Sequence, residues 1–227
     1  MRTSKADIKI KEPRYSKENH NHKDFSLENT IERFIGFLVC DNLACGEVVS
    51  VSGIVETAIT PDFDDNGLYF ESPYPVFSPK SMFPAPHIFE IRDTFPPLVR
   101  EELKLAFQCF WVDLSISVSR LRTSIERLLD HQGVPRIGLD KKKNHRRLDL
   151  YARIKLYEDT SGDKESSDTM NALRVVGNLG THGKSVELND YIIAVEIYEI
   201  ALLEIFEKTS EKIKEMKQRL MSLGDAN

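Results

Sequence analysis

At 227 residues, 41% hydrophobic and 30% charged, the chain has ordinary globular composition, enough for one good core and a small appended module. A net charge of −5 gives no global attraction for nucleic acid, so any such binding must come from a local patch. Three cysteines argue against a disulfide framework; with no run near the roughly 18 apolar residues of a membrane span and no secretory apolar region, the expectation is a cytoplasmic protein without a membrane partner.

Residues 1–24 are charged and lack apolar periodicity, which suggests a polar N-terminal arm or an extended strand partner. Residues 25–71 carry β-branched and aromatic runs, "RFIGFLVC", "EVVSVSGIVETAI" and "GLYFES", separated by "CDNLACG" and "DFDDNG". Three antiparallel strands in a small β module are expected there. Cys40 and Cys45 fall between two of these strands at zinc-knuckle spacing, but a structural zinc needs four ligands, and only His20, His22 or His87 could complete the set. "DFDDNG" matches the first half of a calcium loop and then fails, because Pro73 occupies the position of the bidentate glutamate. A hairpin turn around Asn-Gly explains it better.

Residues 72–97 hold seven prolines and are expected to form an extended connector. From 98 to 208 the pattern turns helical. Leu103, Phe107, Phe110, Leu114, Leu121, Ile125 and Leu128 recur at helical spacing, in one long helix or two with a kink, with Asp93 and Thr94 as cap candidates before it. A basic loop follows, with Lys141, Lys142, Lys143, Arg146 and Arg147 around His145; it could neutralise phosphates or be a solvated helix connection. A short helix over "LDLYARIKLYE" leads through a polar loop to "LRVVGNLGTHGKS".

The ending Gly183-Lys184-Ser185 resembles a phosphate-binding loop, yet Asn178 stands where that loop needs its first glycine. Met170, Leu173 and Val176 at three-residue steps predict a helix instead of the required strand. On such a helix Arg174, Asn178 and His182 share one face, a set able to stabilise phosphorane charge, orient a group and move a proton, or simply to satisfy a helix end. The last helix is apolar up to Phe206 and charged beyond, so 209–227 is expected to be a projecting helical extension.

Together these features predict a mainly α protein in which a small antiparallel β, knuckle-like module precedes a bundle of four to five helices. The order of the cysteine pair, the proline-rich stretch, "SVSRLRTSIERLL" and "LRVVGNLGTHG" resembles the bacterial domain-of-unknown-function family numbered 4145. That family shows an l-R-x-x-x-E helix, here Leu121, Arg122 and Glu126, and an R-x-x-G-N-x-x-x-H helix, here Arg174, Gly177, Asn178 and His182. It is similar to the HEPN superfamily of helical bundles, whose active members are dimeric, metal-independent ribonucleases, and it accompanies restriction and antiphage genes. The resemblance implies a homodimer and an accessory module that recognises RNA, DNA or a partner protein of a defence system. The alternative it admits is a ribonuclease toxin with His182 as acid or base, Arg174 or Arg122 as phosphate stabiliser, Asn178 as orienter and Glu126 as partner of Arg122. No cofactor is implied beyond the structural zinc considered at Cys40 and Cys45.

Overall fold

A computed structural model describes residues 8–42, 44–63, 67–139, 143–181 and 185–224. The chain divides into two compact units, Met1–Pro86 and His87–Asn227.

The first unit is a four-stranded antiparallel sheet in the order β1 (Ile8–Lys11), β2 (Ile31–Val39), β3 (Val48–Phe63) and β4 (Tyr69–Phe83), with a short helix α1 (Arg14–Asn19) between β1 and β2. Alternation sets its faces: Phe34, Val49, Val51, Val55 and Met82 are buried, whereas Ile35, Phe37 and Val39 point outward. Part of the polar arm is therefore a strand, with Ile8 opposite Gly36 and Lys11 opposite Arg33. The Ser16 hydroxyl secures α1 by donating to Glu12 at 2.7 Å and accepting from the Ile31 amide at 3.1 Å.

The proline-rich stretch needs correction. Residues 72–83 are not connector but most of β4, which pairs with β3 from Ser50↔Phe83 to Phe63↔Tyr69. Prolines fit because β4 is an edge strand, where a missing N–H costs no ladder bond on the open side. At the register shift between Ser52 and Gly53 the strands close tightly. A Cβ on Gly53 would lie 2.2 Å from the Ser78 carbonyl oxygen, so only glycine fits there.

The second unit is helical: α2 (Pro97–Phe110), α3 (Leu114–His131), α4 (Leu150–Ser161), α5 (Lys164–Thr181), α6 (Leu188–Glu207) and α7 (Thr209–Gly224), with a two-stranded ladder of β5 (Ile137–Leu139) and β6 (His145–Arg147) before α4. The coarse expectation of helices following a small antiparallel module is met. The first helical stretch is two helices, because the Asp113 side chain accepts from the amides of Ser115 at 2.6 Å and Ile116 at 3.2 Å and starts α3 anew. Asp93 and Thr94 do not cap α2, whose N-cap is Pro96; they bond to Arg100 and Glu207 instead. Nor is the last helix continuous, since Lys208 adopts φ 49° and separates α6 from α7.

Leu103, Phe107, Leu121, Ile125, Leu128 and Met170 are among the fully buried side chains that knit these helices together. Inside this core α3 and α6 are joined by two hydroxyl pairs one heptad apart. Ser117 and Tyr191 oxygens are 2.7 Å apart, Ser124 and Tyr198 oxygens 2.9 Å, and each serine also donates to a main-chain carbonyl. Burial pushes the Tyr191 phenol up to about 12 and the Tyr198 phenol higher still, so both remain neutral donors. Replacing Asp113→Ala should lower stability by about 1 kcal/mol through loss of the cap, read as a lower urea midpoint at unchanged slope.

Candidate functional site

α5 crosses α3 at Gly177, where an added Cβ would lie 3.1 Å from the Arg122 Cβ and 3.5 Å from the Val118 carbonyl oxygen. The small residue lets α5 approach until Asn178 reaches Arg122. Arg122 donates through Nη1 to the Asn178 side-chain oxygen and, at 3.4 Å, to the Arg174 carbonyl. Arg174 itself turns aside, donating through Nε to Asn171 at 2.8 Å while its guanidinium lies 5.3 Å from the Tyr151 ring centre on α4. Arg122 and Asn178 therefore meet across two helices, whereas the Arg174 guanidinium serves a different contact. His182 lies outside the described residues.

Beside Arg122 opens a cavity of about 290 Å³ whose polar walls are Arg122, Glu126, Arg136, Arg147, Asp149 and Arg153. Arg153 is 3% exposed. Its guanidinium donates to Asp130 at 2.8 Å, to the Val134 carbonyl at 3.0 Å and to the Glu126 carbonyl at 3.4 Å, while its buried Nε has no partner. Asp130 also takes the fork of Arg136, with Nε to Oδ1 at 2.8 Å and Nη2 to the second oxygen. Hydrogen bonding from Arg136, opposed by partial burial and reinforced by Arg153, holds the Asp130 carboxyl below its usual range. Asp130 in turn raises Arg136.

One carboxylate thus serves two of the four arginines. Among the described residues Arg122 and Arg147 have no carboxylate within ion-pair distance, and Glu126, expected as the partner of Arg122, makes no ion pair with it. Asp149 is committed to α4, whose Ala152 amide it accepts at 2.8 Å. The result is a concave site with planar, permanently charged donors to spare, suited to a phosphate or carboxylate.

The basic segment differs from the expected loop. Its end is β6, paired as Ile137↔Arg147 and Leu139↔His145, which brings Arg147 both to the cavity and to a neighbouring groove that it lines with Arg136, His145 and Arg146. Lys143 is exposed with φ 62°, and Lys141 and Lys142 fall outside the described residues. Arg136, Arg153 and Asp149 are the lining residues the sequence reading missed. Arg153 carried a legible signal, since it shares the buried face of α4 with Leu150, Ile154 and Tyr157.

Cys40 and Cys45 are free thiols in the β2–β3 turn, half-buried and exposed respectively. Among the described residues no group of three His, Cys, Asp or Glu side chains is placed to hold a metal. The suggested completing histidines are engaged elsewhere: His20 lies 2.8 Å from Glu12, His22 3.7 Å from Asp24, and His87 packs on the Phe107 ring. Burial, with Lys104 nearby, lowers the His87 pKa.

Asp130→Asn leaves Arg153 buried without its counter-charge. It should cost about 2 kcal/mol at pH 7, less than a fully buried pair because Asp130 is 25% exposed. A depressed folded pKa stabilises above the unfolded value near 4 and loses that effect as pH falls through the folded value. The Tm gap between wild type and variant should accordingly shrink below about pH 4.

No helix of the described residues is long and apolar enough to cross a membrane. No curated protein and no solved structure matches the chain. Residues 1–82 are similar to a family described as Domain of unknown function (DUF8608). Over residues 104–219, which include the Arg122 and Asn178 helices and the whole arginine cavity, the match is to Domain of unknown function (DUF4145), and the chain belongs to that family.

Proposed function

We propose that the helical unit is a nucleic-acid recognition module that seats a backbone phosphate in the arginine cavity, with the β5–β6 ladder extending the contact. The observation that carries this reading is the pair of guanidiniums, Arg122 and Arg147, that face one cavity without a carboxylate partner among the described residues. Phosphate contacts of this kind supply affinity and a steep salt dependence, and they fit a chain whose net charge is −5 because the attraction is local. A HEPN-like bundle, a homodimeric state and an accessory role in a prokaryotic defence or restriction-type system are supported by the family resemblance, and belong to the same proposal.

A second reading, a metal-independent endoribonuclease, is favoured by one observation. Arg122 of α3 meets Asn178 in the last turn of α5, four residues before His182 in the sequence. The arginine would stabilise a phosphorane and the histidine would move the proton.

Fluorescence anisotropy with labelled single-stranded RNA, single-stranded DNA and duplexes tests recognition. Arg147→Ala should weaken binding uniformly across sequences and reduce the salt slope by about 1. Equal affinity and slope in the variant, or no binding by the wild type, would overturn the reading. Cleavage of RNA in EDTA by the wild type and its loss in His182→Ala would establish the nuclease instead; binding without cleavage supports the recognition module.

A further inference from the structure

Charge and apolar surface are segregated on the last two helices. α6 carries five carboxylates and no lysine or arginine, and it exposes Ile193 by 56% and Ile200 by 64%, two turns apart on one stripe. Asp190, Glu196 and Glu199 border or neighbour that stripe and have no ionic partner among the described residues.

α7 is the counterpart. Every described side chain from 211 to 222 is exposed, and Ile213, Met216 and Leu220 fall at i, i+3 and i+7, a single apolar seam. At 100° per residue Lys212 and Arg219 border one side of the seam and Lys217 the other, Lys214 and Glu215 lie equally far round from its two edges, and Glu211 falls on the back. A 16-residue helix with nothing packed along it is marginal by itself in water, so this seam calls for a partner surface. Pairing α7 with another α7 would set lysines and arginines against each other across the seam. The α6 stripe has the matching apolar width and the opposite charge.

We infer that α7 of one copy lies along the exposed α6 face of a second copy, and reciprocally, in an isologous dimer closed by two equivalent contacts. The helix lengths suit this, about 24 Å for α7 against about 30 Å for α6. Charge complementarity sets the choice of occupant, since the basic borders of α7 meet acidic ones on an α6 face but basic ones on another α7. This assignment gives the homodimer proposed above its interface and rests on that part of the proposal, but it stands apart from the arginine cavity and does not depend on what that cavity binds.

Sedimentation equilibrium on the full chain tests it, with two charge-reversal variants: Lys212→Glu/Lys217→Glu/Arg219→Glu on α7, and Asp190→Lys/Glu196→Lys/Glu199→Lys on α6. Five of the six positions are exposed and Glu199 is half-buried, and circular dichroism checks that each variant keeps its helices. The wild type should be a dimer whose dissociation constant rises about tenfold or more with high salt, as several exposed ion pairs are screened. Either variant alone should be monomeric. An equimolar mixture of the two should dimerise again, because in the mixed pair one contact is reversed on both sides and the other is native on both. A monomeric wild type, dimeric variants, or a mixture that stays monomeric would each overturn the inference. A monomeric wild type that co-sediments with phosphatidylserine vesicles would assign the α7 seam to an anionic lipid surface instead.

Discussion

The close approach of α5 to α3 at Gly177 is the constraint on which the site depends. With the prospective Cβ only 3.1 Å from the Arg122 Cβ and 3.4 Å from its Cδ, even an alanine would require Arg122, whose guanidinium Asn178 holds, to give by a few tenths of an ångström. The bond that results joins a charged donor to a neutral amide. Arg122 is thereby oriented without being neutralised, and its charge stays available at the cavity wall. A carboxylate in place of Asn178 would hold the guanidinium as firmly and cancel it.

Behind that wall the structure follows the opposite rule. Arg153, almost wholly buried, is matched by Asp130 and two carbonyls, because an uncompensated guanidinium there would be costly. Asp130 shares its charge with Arg136 and keeps both side chains in place. The site therefore has a buried arginine, Arg153, that fixes shape, a half-exposed one, Arg136, that shares the same single carboxylate, and an outer pair, Arg122 and Arg147, that adds further positive charge. Elsewhere in the core, polar satisfaction is achieved without charge, through the Ser117–Tyr191 and Ser124–Tyr198 pairs that tie α6 to α3.

Much of the helical half was legible in the sequence, because Leu121, Ile125 and Leu128 or Met170 and Leu173 repeat at the spacing of a buried helical face, and burial is what selects that spacing. Breaks were less legible. Asp113 and Lys208 interrupt their helices through a side-chain cap and a left-handed backbone, single-residue events that hydrophobic periodicity passes over. Prolines misdirected the reading of residues 72–83, since an edge strand tolerates them as well as a connector does. At the site, the family resemblance brought out Arg122 and Glu126, whereas helical spacing grouped Asn178 with Arg174, whose guanidinium turns instead to Asn171 and Tyr151. Arg136 and Asp149 come from segments outside the motif helices. Only the fold brings them to Arg122.

A phosphate seated in the arginine cavity would perturb the guanidiniums that line it. The most direct measurement is a titration of the arginine side-chain Nε–Hε resonances with a short single-stranded oligonucleotide, followed by two-dimensional NMR. Saturable shifts of Arg122, Arg136 and Arg147, with Arg146 less affected and the α7 residue Arg219 unmoved, are the predicted result. Saturation of binding with the Arg122, Arg136 and Arg147 signals unchanged would contradict it.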